Sequence, residues 1–151
     1  VVAIDYSSIA IKRAKENLSA YYSKDLIIAE AISFFSSSKR NAFDVVYSNL
    51  TYNSFRIKEL KEIFISVYSV LKPKGIHAFC VRSIKDPHFN EGRSISKYTR
   101  IGGPHKVPYT YFSHELFVKL SQNLFKEELI KEDDSKYLFY VIYKKIWIIL
   151  I

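Results

Sequence analysis

Two periods govern the apolar positions of this chain. Residues 1–4 are a short apolar run ending in the carboxylate of Asp5, and Ile11, Ala14 and Leu18 then recur at helical spacing. A bounded apolar run of this length predicts a buried strand, and apolar residues three or four apart predict one face of a helix. The same reading predicts a second short buried strand over 25–31, closing on Glu30, and a Ser-rich connection over 36–41. A third strand is predicted over 43–49, too apolar in its centre to face water on either side. Leu60, Phe64, Val67, Tyr68 and Leu71 trace the stripe of an amphipathic helix. Lys72-Pro73-Lys74-Gly75 ends it, since proline cannot continue a helix and glycine permits a tight turn. A fourth strand is predicted over 76–82.

Strands separated by helices and connections in this order predict a parallel sheet with right-handed crossovers. The remainder differs. Residues 83–110 are polar and hold three of the four prolines and three of the four glycines. A segment of that length without predicted structure is usually functional, so 83–110 is expected to be a loop on the substrate side. Ser113 is placed to cap a further helix with Leu116, Phe117, Leu120 and Leu124 inward. Residues 127–131 and 137–143, joined by Glu132-Asp133-Asp134-Ser135-Lys136, carry the turn chemistry of an antiparallel hairpin.

The 151 residues are read as one domain. Four glycines with no G-x-G exclude a glycine-cradled phosphate site within these residues. The single Cys80 can form no internal disulfide and is expected to be a small buried hydrophobe, which favours a reducing, cytoplasmic setting. The apolar tail 146–151 is far short of the roughly 20 residues that a spanning helix needs, so no membrane partner is expected. A formal charge of +8 permits an anionic partner. The basic residues are spread among acids rather than gathered in a stripe, so nucleic acid is not favoured. His77, His88, His105 and His114 lack metal-ligand spacing; His77 is expected to be structural.

An apolar strand that ends in an acid at a helix start is how nucleotide-type α/β folds present a carboxylate to a ribose diol. That acid normally follows a glycine-rich turn by about 20 residues, whereas only four residues precede Asp5 here and no Met is present. The expectation is therefore a chain lacking its first strand and glycine loop, with a missing segment or a partner chain completing the sheet. A dehydrogenase-type sheet would continue with more parallel units, but this chain finishes with a helix and a hairpin.

At that point the chain resembles the class I S-adenosylmethionine-dependent methyltransferases, whose sheet carries a reversed C-terminal strand. The resemblance rests on Val2-Ala3-Ile4-Asp5-Tyr6-Ser7, Ala29-Glu30-Ala31, Phe43-Asp44-Val45-Val46-Tyr47-Ser48-Asn49-Leu50 and Val70-Leu71-Lys72-Pro73-Lys74-Gly75. Val81 to Pro87 and Tyr111 to Leu116 are most similar to small-molecule enzymes of the tellurite-resistance and thiopurine type. The implied fold is α/β: a Rossmann-like, mostly parallel sheet with helices on both faces and a C-terminal antiparallel hairpin, incomplete at its N-terminus.

The resemblance implies S-adenosyl-L-methionine as cofactor and a small-molecule methyl acceptor. Asp5 would accept from the ribose hydroxyls and Tyr6 would cover the adenine. Glu30 would lie near the adenine amino group, with the Ala31 N–H toward the ring. Ser48 and Asn49 would line the methionine portion. Asn49-Leu50-Thr51-Tyr52 is faintly similar to the Asn-Pro-Pro-Tyr element of amino-group methyltransferases but lacks both prolines, which leaves Tyr52 as a pocket wall. Arg82 and Lys85 would meet a polar or anionic acceptor. Methyl transfer from a sulfonium needs little acid–base help, so positioning supplies most of the rate and no catalytic base is assigned. Two alternatives stand beside this reading: a degenerate methyltransferase-like binding module or partner subunit, and an RNA or protein methyltransferase.

Overall fold

A computed structural model describes residues 1–20 and 25–146; of the apolar tail 146–151, the residues from Trp147 onward lie outside the described residues. The chain divides into two compact units, Val1–Ser38 and Lys39–Ile151.

The first unit runs β1 (Val2–Asp5), α1 (Ser8–Asn17), β2 (Asp25–Ile28) and α2 (Ala31–Ser37). Ser7 starts α1 because its Oγ accepts from Ala10 N at 3.2 Å, satisfying one of the donors a helix start leaves over. The strands pair in parallel from Val2 opposite Asp25 to Asp5 opposite Ile28. Two expectations need correction. β2 is not buried, since Ile28 is 58% exposed; among the described residues of this unit Ile11 alone is buried, because two four-residue strands give α1 little to cover. Residues Ala31–Ser37 form a helix that takes in the first two residues of the connection expected over 36–41. Glu30 caps it through Ile32 N and Ser33 N, a role the serine-rich sequence concealed.

The second unit builds a sheet in the order β3 (Phe43–Asn49), β4 (Leu71–Arg82), β9 (Leu138–Lys145), β8 (Phe125–Asp133). β3 and β4 are parallel, while β9 runs antiparallel to both β4 and β8. The hairpin therefore forms as the sequence predicts, and its second arm inserts beside β4. The expectation of a mostly parallel sheet is corrected here, because two of the three ladders in this sheet are antiparallel. Lys72-Pro73-Lys74-Gly75 does turn the chain. Lys74 takes φ 64° and the ladder to β3 shifts register there. A Cβ on Gly75 would stand 2.8 Å from the Lys72 carbonyl oxygen.

Helices α3 (Ile57–Val70) and α4 (His114–Ser121) cover one face of this sheet, not both. Phe64 meets His77, Phe79 and Tyr143 edge-on or tilted, and Phe117 meets Phe79 and Phe139. Leu60, Ile63, Phe64 and Val67 are fully buried on that face. Leu124, expected within α4, falls beyond its end. The opposite face of β3 is open. Val45 is 55% and Tyr47 68% exposed, correcting the expectation of a strand buried on both sides.

Residues 83–110 are the largest departure. They fold into a short 3-10 turn (Pro87–Asn90) and a three-stranded antiparallel sheet of β5 (Arg93–Ser94), β6 (Thr99–Gly102) and β7 (His105–Thr110). The Gly102-Gly103 turn between β6 and β7 needs positive φ at both residues, 96° and 59°, which glycine adopts without strain. Inside this sheet Thr99 and Thr110 hydroxyls meet at 2.9 Å, and Arg100 lies 4.0 Å over the Phe89 ring.

Candidate functional site

In the first unit the parallel ladder sets two acids side by side. β1 ends at Asp5, β2 ends opposite it, and Ala29 N donates to Asp5 O at 3.0 Å. Each strand then enters a helix, so Asp5, Tyr6, Glu30 and Ala31 all stand at the carboxyl end of the pair. Asp5 Oδ1 accepts from Ser7 N at 2.8 Å, and no described bond engages Oδ2. The Tyr6 ring is 83% exposed. Glu30 accepts from Ser33 N at 2.9 Å, Ser33 Oγ at 2.9 Å and Ile32 N at 3.2 Å. The Ser33 backbone bond is the main cause that holds its carboxyl below the usual range. Ala31 is the first residue of α2, where an N–H has no helical carbonyl to meet.

This donor set suits an adenosine. A carboxylate with an uncommitted oxygen can accept from a vicinal diol, an exposed aromatic ring can cover a base, and a helix-start N–H can donate to a ring nitrogen.

In the second unit Ser48 and Asn49 close β3. Ser48 is buried and its hydroxyl has no partner by hydrogen-bond geometry, whereas Asn49 is exposed. Leu50 turns the chain at φ 59°, a conformation that costs a branched side chain about 1 kcal/mol. Its N–H donates to Cys80 O at 2.8 Å, which pins the turn to β4. A 3-10 turn (Thr51–Ser54) follows.

Tyr52 stands in that turn, and its ring is in the core rather than on a surface. It is 2% exposed and its hydroxyl meets His77 Nε2 at 2.8 Å. Burial pushes His77 down to about 3 and Tyr52 well above its ordinary value. His77 is thus neutral and structural, and Cys80, 4% exposed, packs as a small hydrophobe.

Arg82 ends β4. Its guanidinium meets Asp86 Oδ2 at 3.1 Å and Lys136 O at 3.3 Å. Lys85 instead reaches the hairpin, at 2.7 Å from Glu132 and 2.8 Å from Asp134. The bond to Asp134 is the first cause raising its pKa.

Sequence reasoning missed Asn53. Fully buried, it donates Nδ2–H to Thr110 O at 2.7 Å and accepts at Oδ1 from Arg82 N at 3.2 Å. One side chain thereby ties the turn after β3 to β4 and β7, and a lone Asn after a strand carries no signal for that. Also unforeseen was the stacking of His105 on Tyr109, with ring centroids 3.7 Å apart, within the small antiparallel sheet. Among the described residues no group of His, Cys, Asp or Glu is arranged to hold a metal ion, and no helix is long and apolar enough to cross a membrane.

Residues 1–137 match the family model described as a methyltransferase domain. The chain belongs to that family. Its enzyme class is methyltransferase, and the cofactor of that class is S-adenosyl-L-methionine.

Solved structures share the fold. A S-adenosylmethionine-dependent methyltransferase of Methanosarcina mazei is similar with TM-score 0.81 and 19% identity, over 98% of this chain and 82% of that one. A Pyrococcus horikoshii protein is similar with TM-score 0.77 and 21% identity, over 97% and 71%. The Burkholderia thailandensis 1,6-didemethyltoxoflavin-N1-methyltransferase, solved with 1,6-didemethyltoxoflavin and S-adenosylhomocysteine, is similar with TM-score 0.72 and 11% identity, over 96% and 60%. No curated protein matches the sequence.

Proposed function

We propose that this protein methylates a small-molecule acceptor, in the manner of tellurite-resistance and thiopurine-type enzymes, and does so in the cytoplasm. Asp5, Tyr6, Glu30 and Ala31 hold the adenosine of S-adenosylmethionine, and Ser48 and Asn49 meet its methionine portion. Segment 83–110, with Arg82 at its root, receives the acceptor. The observation that carries this reading is the parallel ladder of β1 and β2, which ends two acids together, each at the start of a helix.

When bound, the cofactor supplies an electrophilic methyl group on a sulfonium. The chain's own part is positioning. Asp5 fixes the ribose through its uncommitted oxygen, and Glu30, kept ionised by its cap bonds, accepts from an exocyclic amine. Arg82, anchored by Asp86, sets the polar edge of the acceptor site. Holding the acceptor in line with the methyl group supplies most of the acceleration.

Among the described residues β3 carries a ladder with β4 alone, which leaves its other edge to a strand from a partner chain. Calorimetric titration of S-adenosylhomocysteine tests both points, using this chain and a version carrying whatever precedes Val1. Binding that weakens tenfold or more in Asp5→Ala is expected, the loss of a charge-assisted hydrogen bond. Binding by neither form would favour the degenerate module. Salt-sensitive affinity for RNA would favour a nucleic-acid substrate.

A further inference from the structure

Tyr111 is fully buried, yet its hydroxyl has no hydrogen-bond partner. A buried hydroxyl left in this state costs about 1–3 kcal/mol, so such groups call for a functional explanation. The ring stands edge-on to Phe89 at 5.4 Å and to Tyr109 at 5.2 Å. On Tyr109 lies His105, with ring centroids 3.7 Å apart and planes 5° apart. Unlike Tyr111, both members of this stack are only partly covered. Beside them Asp86, 3% exposed, accepts from His88 N at 2.9 Å and from Arg82 at 3.1 Å. Arg82 ends β4, and Cys80, two residues earlier, pairs with Asn49 of β3. The cluster therefore stands at the carboxyl ends of β3 and β4, the side on which open α/β sheets receive ligands.

We propose that the stacked His105 and Tyr109 form the face of the acceptor pocket, that the acceptor is a small planar molecule bearing an N–H or O–H, and that His105 takes its proton. The inference rests on the methyl-transfer reading above and adds to it the acceptor class and the proton-accepting residue. The flat, partly covered His105–Tyr109 stack favours a planar partner through offset and edge contacts. The acceptor's lone pair forms the bond to the methyl carbon, and the carbon–sulfur bond breaks with its electrons left on sulfur. The acceptor's proton passes to a ring nitrogen of His105.

That nitrogen must be unprotonated beforehand. Partial burial, then His88 and Arg82, push His105 below its ordinary value, while the carboxylates of Asp86 and Glu91 pull the other way. The neutral phenols of Tyr109 and Tyr111, both raised by burial, complete its titratable surroundings.

Indole is a suitable probe, being planar, bearing one N–H and not titrating near neutral pH; 1-methylindole lacks the proton. Both are titrated into the whole chain while His105 ring protons are followed by NMR, with S-adenosylhomocysteine titrated separately. Indole is expected to shift the His105 signals and to bind about tenfold tighter than 1-methylindole, the worth of one hydrogen bond. Asn in place of His105 (His105→Asn) should erase that preference, and indole affinity should fall as pH drops through the His105 midpoint. Equal binding of the two probes by the wild type, or no response at His105, would overturn the inference even if Asn substitution unfolds the protein. Cofactor-product binding without an indole effect leaves the methyl-transfer reading intact and removes this one; an indole effect without cofactor-product binding removes the methyl-transfer reading and the proton-accepting role with it, leaving a site for a planar ligand alone.

Discussion

Two histidine–tyrosine pairs in the second unit make opposite use of the same side chains. Tyr52 and His77 meet edge-on through a 2.8 Å hydrogen bond, sealed among Phe64, Phe79, Phe125 and Tyr143. His105 and Tyr109 stack face to face at a partly open rim among Arg82, Asp86, His88 and Glu91. Burial lowers both imidazoles. Only His105 has charges about it and a route to solvent. A histidine whose protonation is fixed by a hydrocarbon cage can hold a fold together but cannot exchange protons, whereas one at a charged rim can do so near neutral pH.

Opening the cage should erase the difference at the largest cost. Phe64→Ala removes a fully buried ring that touches Tyr52, His77, Phe79, Phe125 and Tyr143. Equilibrium unfolding should show a loss of about 3–5 kcal/mol. The His77 titration midpoint should rise toward the ordinary histidine range. A cost below about 1 kcal/mol would mean that the ring is not packed as described.

Acid titration sharpens the contrast without mutation. His77 has a folded pKa of about 3, below its unfolded value of 6.5, so the unfolded chain binds the extra proton between them. Stability from this group is complete above pH 6.5 and is lost as pH falls toward 3, at no more than about 1.4 kcal/mol per pH unit. In His77→Gln the slope in that window should flatten; an unchanged slope would assign it to other groups.

Asn53→Ala should come next. It leaves the Thr110 carbonyl and the Arg82 amide without the partner described, at about 1–3 kcal/mol. It also frees β7, which carries His105 and Tyr109, so the His105 ring signals should broaden or move while those of His77 stay in place.

How legible each pair was follows from the kind of signal it leaves. His77 sits in an alternating apolar strand, and that pattern alone marks it as structural. Asp5 and Glu30 stood out because each closes a short apolar run; the helix after Asp5 was legible, whereas the one that Glu30 caps was hidden by its serines. His105 and Tyr109 lie between glycines and prolines where no period repeats, so the polar stretch 83–110 read as loop. Its order comes from contacts distant in sequence, such as Asn53 with Thr110 and Arg100 with the Phe89 carbonyl. Burial was misjudged for Ile28 and for Val45 and Tyr47 because an apolar strand looks the same whether or not anything covers it.

The smallest effect should come from Lys85→Ala. Lys85 is half exposed and bridges Glu132 and Asp134 on the hairpin, not the Asp86 cluster. Exposed pairs of this kind contribute about 0–1 kcal/mol and weaken with salt. Unfolding should therefore shift little, and less in 1 M salt, and the His105 midpoint should not move. If Lys85 instead meets an acceptor directly, its removal should weaken binding of an anionic planar ligand while leaving neutral indole unaffected. That comparison separates a charge that holds the hairpin from one that meets an acceptor.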